Sequence, residues 1–194
     1  EAQPIRCSHF GAFRFFTTFV RQLSSGNIIE AIQEISVLAP VLVMAFGQLA
    51  GGLAWLAISG EDAHDLVATA PVPERALVRA KNEAVLAVIV VGAAPFLFGL
   101  AFLSLWAAGV TAVGIALASG TAIVIQMWFK VSGRRTLFRR RQMASKAATF
   151  SEAFSSIFWA GATGLAAAQS WWALVFVVFA LATLATARFI SPRA

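Results

Sequence analysis

The sequence predicts an all-α integral membrane protein: a polytopic bundle of about five transmembrane helices plus an N-terminal interfacial helix. Three observations predict it. Hydrophobic residues make up 59% of the 194 and charged residues only 12%, against about 45–50% and about 25% in soluble domains. Uncharged stretches are long enough to cross a bilayer, which takes about 20 apolar residues for roughly 30 Å of hydrocarbon. The Lys and Arg residues gather between those stretches. A water-soluble fold of this size has too few charged side chains to cover so much apolar surface, and the mean hydropathy is +0.79. A soluble globular enzyme, a disordered tail and a secreted disulfide scaffold are excluded.

From the N-terminus, residues 1–35 form one segment and 36–194 the transmembrane domain. Ser8 to Val20 is aromatic and apolar but carries Arg14. It reads as an interfacial helix or as the surviving part of another span, the former because an arginine at mid-span is costly. The first span is near 36–58 and has no charge. Residues 84–129 are also uncharged, too long for one crossing, and break near Leu105–Gly109 into spans near 84–104 and 108–129. Two more follow near 152–168 and 171–187, turning at Gln169–Ser170. Arg75, Arg79 and Lys81 lie in the loop 59–83. Seven more basic residues, among them Arg139, Arg140 and Arg141, lie in 130–151, and Arg188 and Arg193 near the C-terminus. Five spans put these three regions on one side, and the positive-inside rule makes that side cytoplasmic. The expected location is the plasma (inner) membrane. Trp106, Trp171 and Trp172 fall at the outer turns and Trp128 at an inner helix end, as an aromatic belt requires. The net charge of +6 is so placed that it suits anionic lipid; no nucleic-acid partner is expected.

Small residues predict how the spans pack. Gly47 and Gly51 form a GxxxG, and Ala160, Gly164 and Ala168 share a face at the same spacing. In lipid such faces let helices approach closely, either as generic packing or as a dimer interface; assembly as a homo- or hetero-oligomer is expected. Pro40 and Pro95 are candidate kink positions. No span has an ionisable residue in its middle, which argues against a proton-driven transporter and against a redox centre. His9 and His64 have no partner at metal-ligand or haem spacing. No GxxxxGK[ST] phosphate-binding loop occurs. No catalytic site, cofactor or metal is expected, and no enzyme.

The loop after the first span carries the most information. Glu61, Asp62, His64 and Asp65 make a compact acidic turn, followed by Ala70-Pro71-Val72-Pro73 and a basic helix start. Acidic residues favour helix N-termini, and Pro is tolerated in a first turn. Two short interfacial helices joined by a proline elbow are expected. A divalent cation on Glu61, Asp62 and His64 is the weaker alternative. The pattern Gly60, Glu61, Asp62, Asp65, Leu66, Val67, Thr69, Ala70, Pro71, Val72, then Arg75, Arg79, Ala80 and Lys81, resembles the loop of permease subunits of ABC-2 type exporters. That resemblance covers about 22 residues. It implies a membrane-spanning subunit that forms the translocation path while a separate ATP-binding subunit supplies energy. Glu61, Asp62, Asp65 and Pro71 would then lie at the ATPase contact, with Arg75, Arg79 and Lys81 at lipid headgroups; the alternative is a solvated positive-inside loop.

Two features depart from the family. Such permeases have at least six spans, and Val67 stands where leucine is common. Five spans and a first residue of Glu1 point to a fragment. In 130–151, the run Arg139-Arg140-Arg141 between Phe138 and Met143 predicts an amphipathic helix on the inner leaflet, or a second docking surface. A non-catalytic accessory subunit of a larger membrane complex is the alternative function.

Overall fold

Residues 28–59, 74–129 and 138–191 are described by the computed structural model, with side chains described over 37–57, 76–129 and 146–191. They form five helices: α1 (Ile28–Ser59), α2 (Glu74–Leu103), α3 (Leu105–Trp128), α4 (Phe138–Ala167) and α5 (Ala173–Ile190). The chain divides into two units, Glu1–Glu34 and Ile35–Ala194, and the second holds every described side chain. The expected interfacial helix over Ser8 to Val20 lies outside the described residues.

The architecture is an all-α membrane bundle. Four helices contain stretches long and apolar enough to cross a membrane: Val37–Ala57, Ala76–Leu103, Leu105–Trp128 and Ala173–Ile190. The fifth, α4, differs in composition. It carries Arg139, Arg140, Arg141 and Lys146 towards its start and, where a span near 152–168 is expected, Glu152, Ser155, Ser156 and Thr163.

Local chemistry makes the reversals. Between α2 and α3 a single residue turns the chain: Ser104 is extended, at φ −157° and ψ 116°, and its Oγ accepts the Ala107 backbone N–H at 3.3 Å. A serine N-cap satisfies one of the amides that a helix start leaves unpaired. Leu105–Gly109 therefore opens α3 instead of forming the turn. After α4, the Ser170 N–H reaches the Leu165 carbonyl at 2.9 Å and the Gln169 N–H reaches Ala166 at 3.0 Å. This is a Schellman closure, with Gln169 left-handed at φ 55°.

These reversals pack neighbouring helices antiparallel. Asn82 Nδ2 on α2 donates to Met127 Sδ on α3 at 3.5 Å, Trp106 Nε1 on α3 donates to the Ala166 carbonyl on α4 at 3.2 Å, and Ser191 Oγ after α5 donates to the Trp128 carbonyl at 3.1 Å. One end of the bundle therefore holds the start of α2 and the ends of α3 and α5. Arg79, Lys81 and Arg188 lie there, so it is called the basic end here. Arg188 stacks 5.4 Å from the Trp128 ring centre.

α1 and α3 are central, each with 44% of its apolar stretch buried, against 22% for α2 and 11% for α5. The core is built from Val43, Phe46, Ala50, Ile115, Ala118, Ala122, Trp159 and Ala160. Its many alanines suit a bundle in lipid, where close approach and dispersion replace hydrophobic drive. Val90, Val91, Phe98 and Phe102 on α2 and Val178, Leu181 and Phe189 on α5 face outward, as lipid contact requires.

Candidate functional site: a polar seam between three helices

Along α4, Glu152, Ser156, Trp159 and Thr163 recur at intervals of four, three and four residues, which places them on one helix face. All four are buried, Glu152 at 5% exposure. The face meets α1 and α3. Gln126 Nε2 on α3 donates to Glu152 Oε2 at 2.7 Å. Gln48 Nε2 on α1 donates to Ser156 Oγ at 2.6 Å, and Ser155 Oγ donates to Thr121 Oγ1 at 3.2 Å. Deeper in the bundle, Thr163 Oγ1 turns back onto the Trp159 carbonyl at 2.8 Å and Thr111 Oγ1 onto Ala107 at 2.7 Å. Ser119 Oγ and Trp159 Nε1 are buried with no hydrogen-bond partner.

Glycines make room for this seam. A Cβ on Gly51 would overlap the Glu152 carboxylate, with Oε1 the nearest atom. On Gly47 it would stand 3.1 Å from Ser156 Cβ and 3.2 Å from Ala118 Cβ, and on Gly114 it would meet Thr163 Oγ1. Gly164 receives the Pro40 ring, 3.3 Å from the position of a Cβ. The expected small-residue faces therefore meet each other: Gly47 and Gly51 on α1 lie against α4, Gly164 on α4 lies against α1, and Ala160 is buried in the core beside them. Ala168 is exposed beyond the end of α4.

The seam begins near the basic end, because Gln126 lies two residues before the end of α3. From Glu152 to Thr163 it runs roughly 16 Å along α4 at about 1.5 Å per residue, about half the hydrocarbon thickness. Glu152 has no cation beside it among the described residues, and its described hydrogen bond is to a neutral amide. None of the four stretches long and apolar enough to cross a membrane has an ionisable residue in its middle. Glu152, the first residue of the span expected near 152–168, is halfway along the 30-residue α4 and buried between three helices.

The other sequence-predicted residues are placed as follows. Glu61, Asp62, Asp65 and Pro71 lie outside the described residues. Arg75 and Arg139, Arg140 and Arg141 lie in α2 and α4, with side chains outside the described ones. Arg79 is exposed and pairs with Glu83, one helical turn on, at 2.7 Å. Lys81 is half-buried on the same helix. Among the described residues no group of three or more His, Cys, Asp or Glu could hold a metal ion. Comparison of the chain with family models, with curated proteins and with solved structures gives no match.

Proposed function

We propose that the chain is a membrane-spanning subunit of an ATP-driven exporter, forming the translocation path while a separate ATP-binding subunit supplies the energy. The observation that carries this reading is the seam. Polar and ionisable groups inside a membrane bundle are expensive and mark substrate or ion pathways. A purely packing contact between α1, α3 and α4 needs neither a carboxylate nor the amides of Gln48 and Gln126. The path proposed is the line from Glu152 through Gln48, Ser156 and Thr121 towards Ser119 and Thr163.

The ATPase part of the reading is supported by the resemblance of the loop 59–83 to the permease loop of ABC-2 type exporters. That stretch follows α1 and runs into α2, whose start lies at the basic end, where the seam also begins. Contact there would act directly on α1, which carries Gly47, Gln48 and Gly51. In this reading the basic end is cytoplasmic, the membrane is the plasma membrane, and Arg75, Arg79, Lys81 and Arg139–Arg141 meet lipid headgroups or the partner. The outward apolar faces of α2 and α5 are then free for lipid or for further subunits of a homo- or hetero-oligomer.

Purification of the tagged chain from its native membrane in mild detergent tests this reading. The expected companion is an ATPase with a phosphate-binding loop, lost when Glu61, Asp62 and Asp65 are changed to Ala. A stable assembly with no ATPase overturns it and leaves a non-catalytic accessory subunit.

A further inference from the structure

The exporter reading places Glu152 on the proposed path but assigns its buried carboxyl group no protonation state. Oε2 accepts from Gln126, and Oε1 is pressed against the backbone of α1 at Gly51. A carboxylate in that position would keep one neutral donor and no counter-ion among the described residues, and an ion taken out of water with so little compensation is strongly disfavoured. The neutral acid fits the same space. A proton on Oε1 leaves Oε2 free to accept from Gln126 and removes the charge.

Among the described side chains no other charge supplies the balance. The described side chains of α1, over 37–57, and those of α3 include no titratable group. On α4 itself the next charge is Lys146, which is exposed. On α5 it is Arg188, stacked on Trp128. Among the described side chains of α2 they are Lys81 and the Arg79–Glu83 pair. Two further buried polar atoms, Ser119 Oγ and Trp159 Nε1, stand without partners in the same three-helix core. They are donors that water entering from the basic end would engage.

We infer that Glu152 is a proton-binding site whose ionisation opens the seam between α1 and α4 at the basic end. On release, the Oε1–H bond breaks and the proton passes to water. The carboxylate left behind then needs donors that only further water can supply. Water enters between α1 and α4 at Gly51, where α1 itself carries no side chain and the Glu152 carboxylate moves aside. Uptake reverses the step and recloses the helices. The bound species is a proton; the closed contact at Gly51 leaves no space for a metal cation.

Infrared difference spectroscopy on the full chain in lipid vesicles, following a change of pH, tests this. The expected result is a protonated-carboxyl C=O band that disappears as pH rises. It should be missing in Glu152→Gln and kept in Glu83→Gln, which removes an exposed carboxylate. A band absent from the wild type, or unchanged in Glu152→Gln, overturns the proposal. Should Glu152→Gln fail to accumulate, Glu152→Asp keeps the acid but moves it, and the band must shift; an unshifted band overturns the proposal equally. The opening is read from Ser156→Cys in a Cys7→Ser background. Its labelling by a membrane-impermeant maleimide should rise several-fold with pH, and labelling independent of pH refutes the opening. Neither readout needs an ATPase, so the result is separable from the exporter reading.

Discussion

At Gly51 the space a Cβ would fill is taken by the Glu152 carboxylate. The colliding atoms are the end of a flexible side chain, so Gly51→Ala displaces the carboxylate more than it parts the helices. The expected loss is that of the Gln126 hydrogen bond and the stranding of a buried acceptor, about 1–3 kcal/mol. Glu152→Ala in the same chain should remove most of the Gly51→Ala penalty, and a double-mutant cycle read by denaturing-detergent titration measures that coupling. Additive penalties would show that the contact is not the cause. Gly47 differs, because a Cβ there meets Ser156 Cβ at 3.1 Å and Ala118 Cβ at 3.2 Å, neither on a long side chain. Gly47→Ala should destabilise by about 1–3 kcal/mol through overpacking, with no relief from Glu152→Ala. The same titration checks it.

Among the elements, α4 departs most from its sequence reading. Only the second half of α4 lies in a long uncharged run, 153–187, which it shares with α5. Its mixed sequence looks like a basic loop followed by a short span, but it forms a continuous helix of 30 residues. The signal was present in the spacing of Glu152, Ser156, Trp159 and Thr163. It was masked by the small residues Ala160 and Gly164 on the neighbouring face, and Glu152 taken as the first residue of a span looks like a solvated end. Gln48 and Gln126 carry no charge, so a search for charged residues in the spans passes over them; only packing shows that they face α4. The turns are similar. Ser104 reverses the chain by capping α3, a role any serine in an apolar run can fill, so spacing alone does not single it out. Gln169, left-handed at the end of α4, sits where glycine costs less. Gln169→Gly should stabilise the bundle by up to about 1 kcal/mol, seen as a higher denaturing-detergent midpoint; a lower midpoint would mean that the Gln169 side chain makes a contact worth more than the strain.

For the whole molecule, composition alone was enough to specify an all-α membrane bundle, because so apolar a chain with uncharged runs of this length has few other folds open to it. Function is less legible. The acidic loop is a sequence feature, the seam is a feature of packing, and the two meet only because α1 joins them. An exporter subunit built this way must transmit a force applied at the loop 59–83 along α1 to its contact with α4. ATP hydrolysis by the purified assembly, reconstituted in lipid vesicles, tests that account most directly. The account predicts hydrolysis by the wild-type assembly and its loss, with the chain still folded, when Glu61, Asp62 and Asp65 are all changed to Ala. A chain that purifies as a stable assembly and hydrolyses no ATP, or one whose hydrolysis survives that change undiminished, would contradict it.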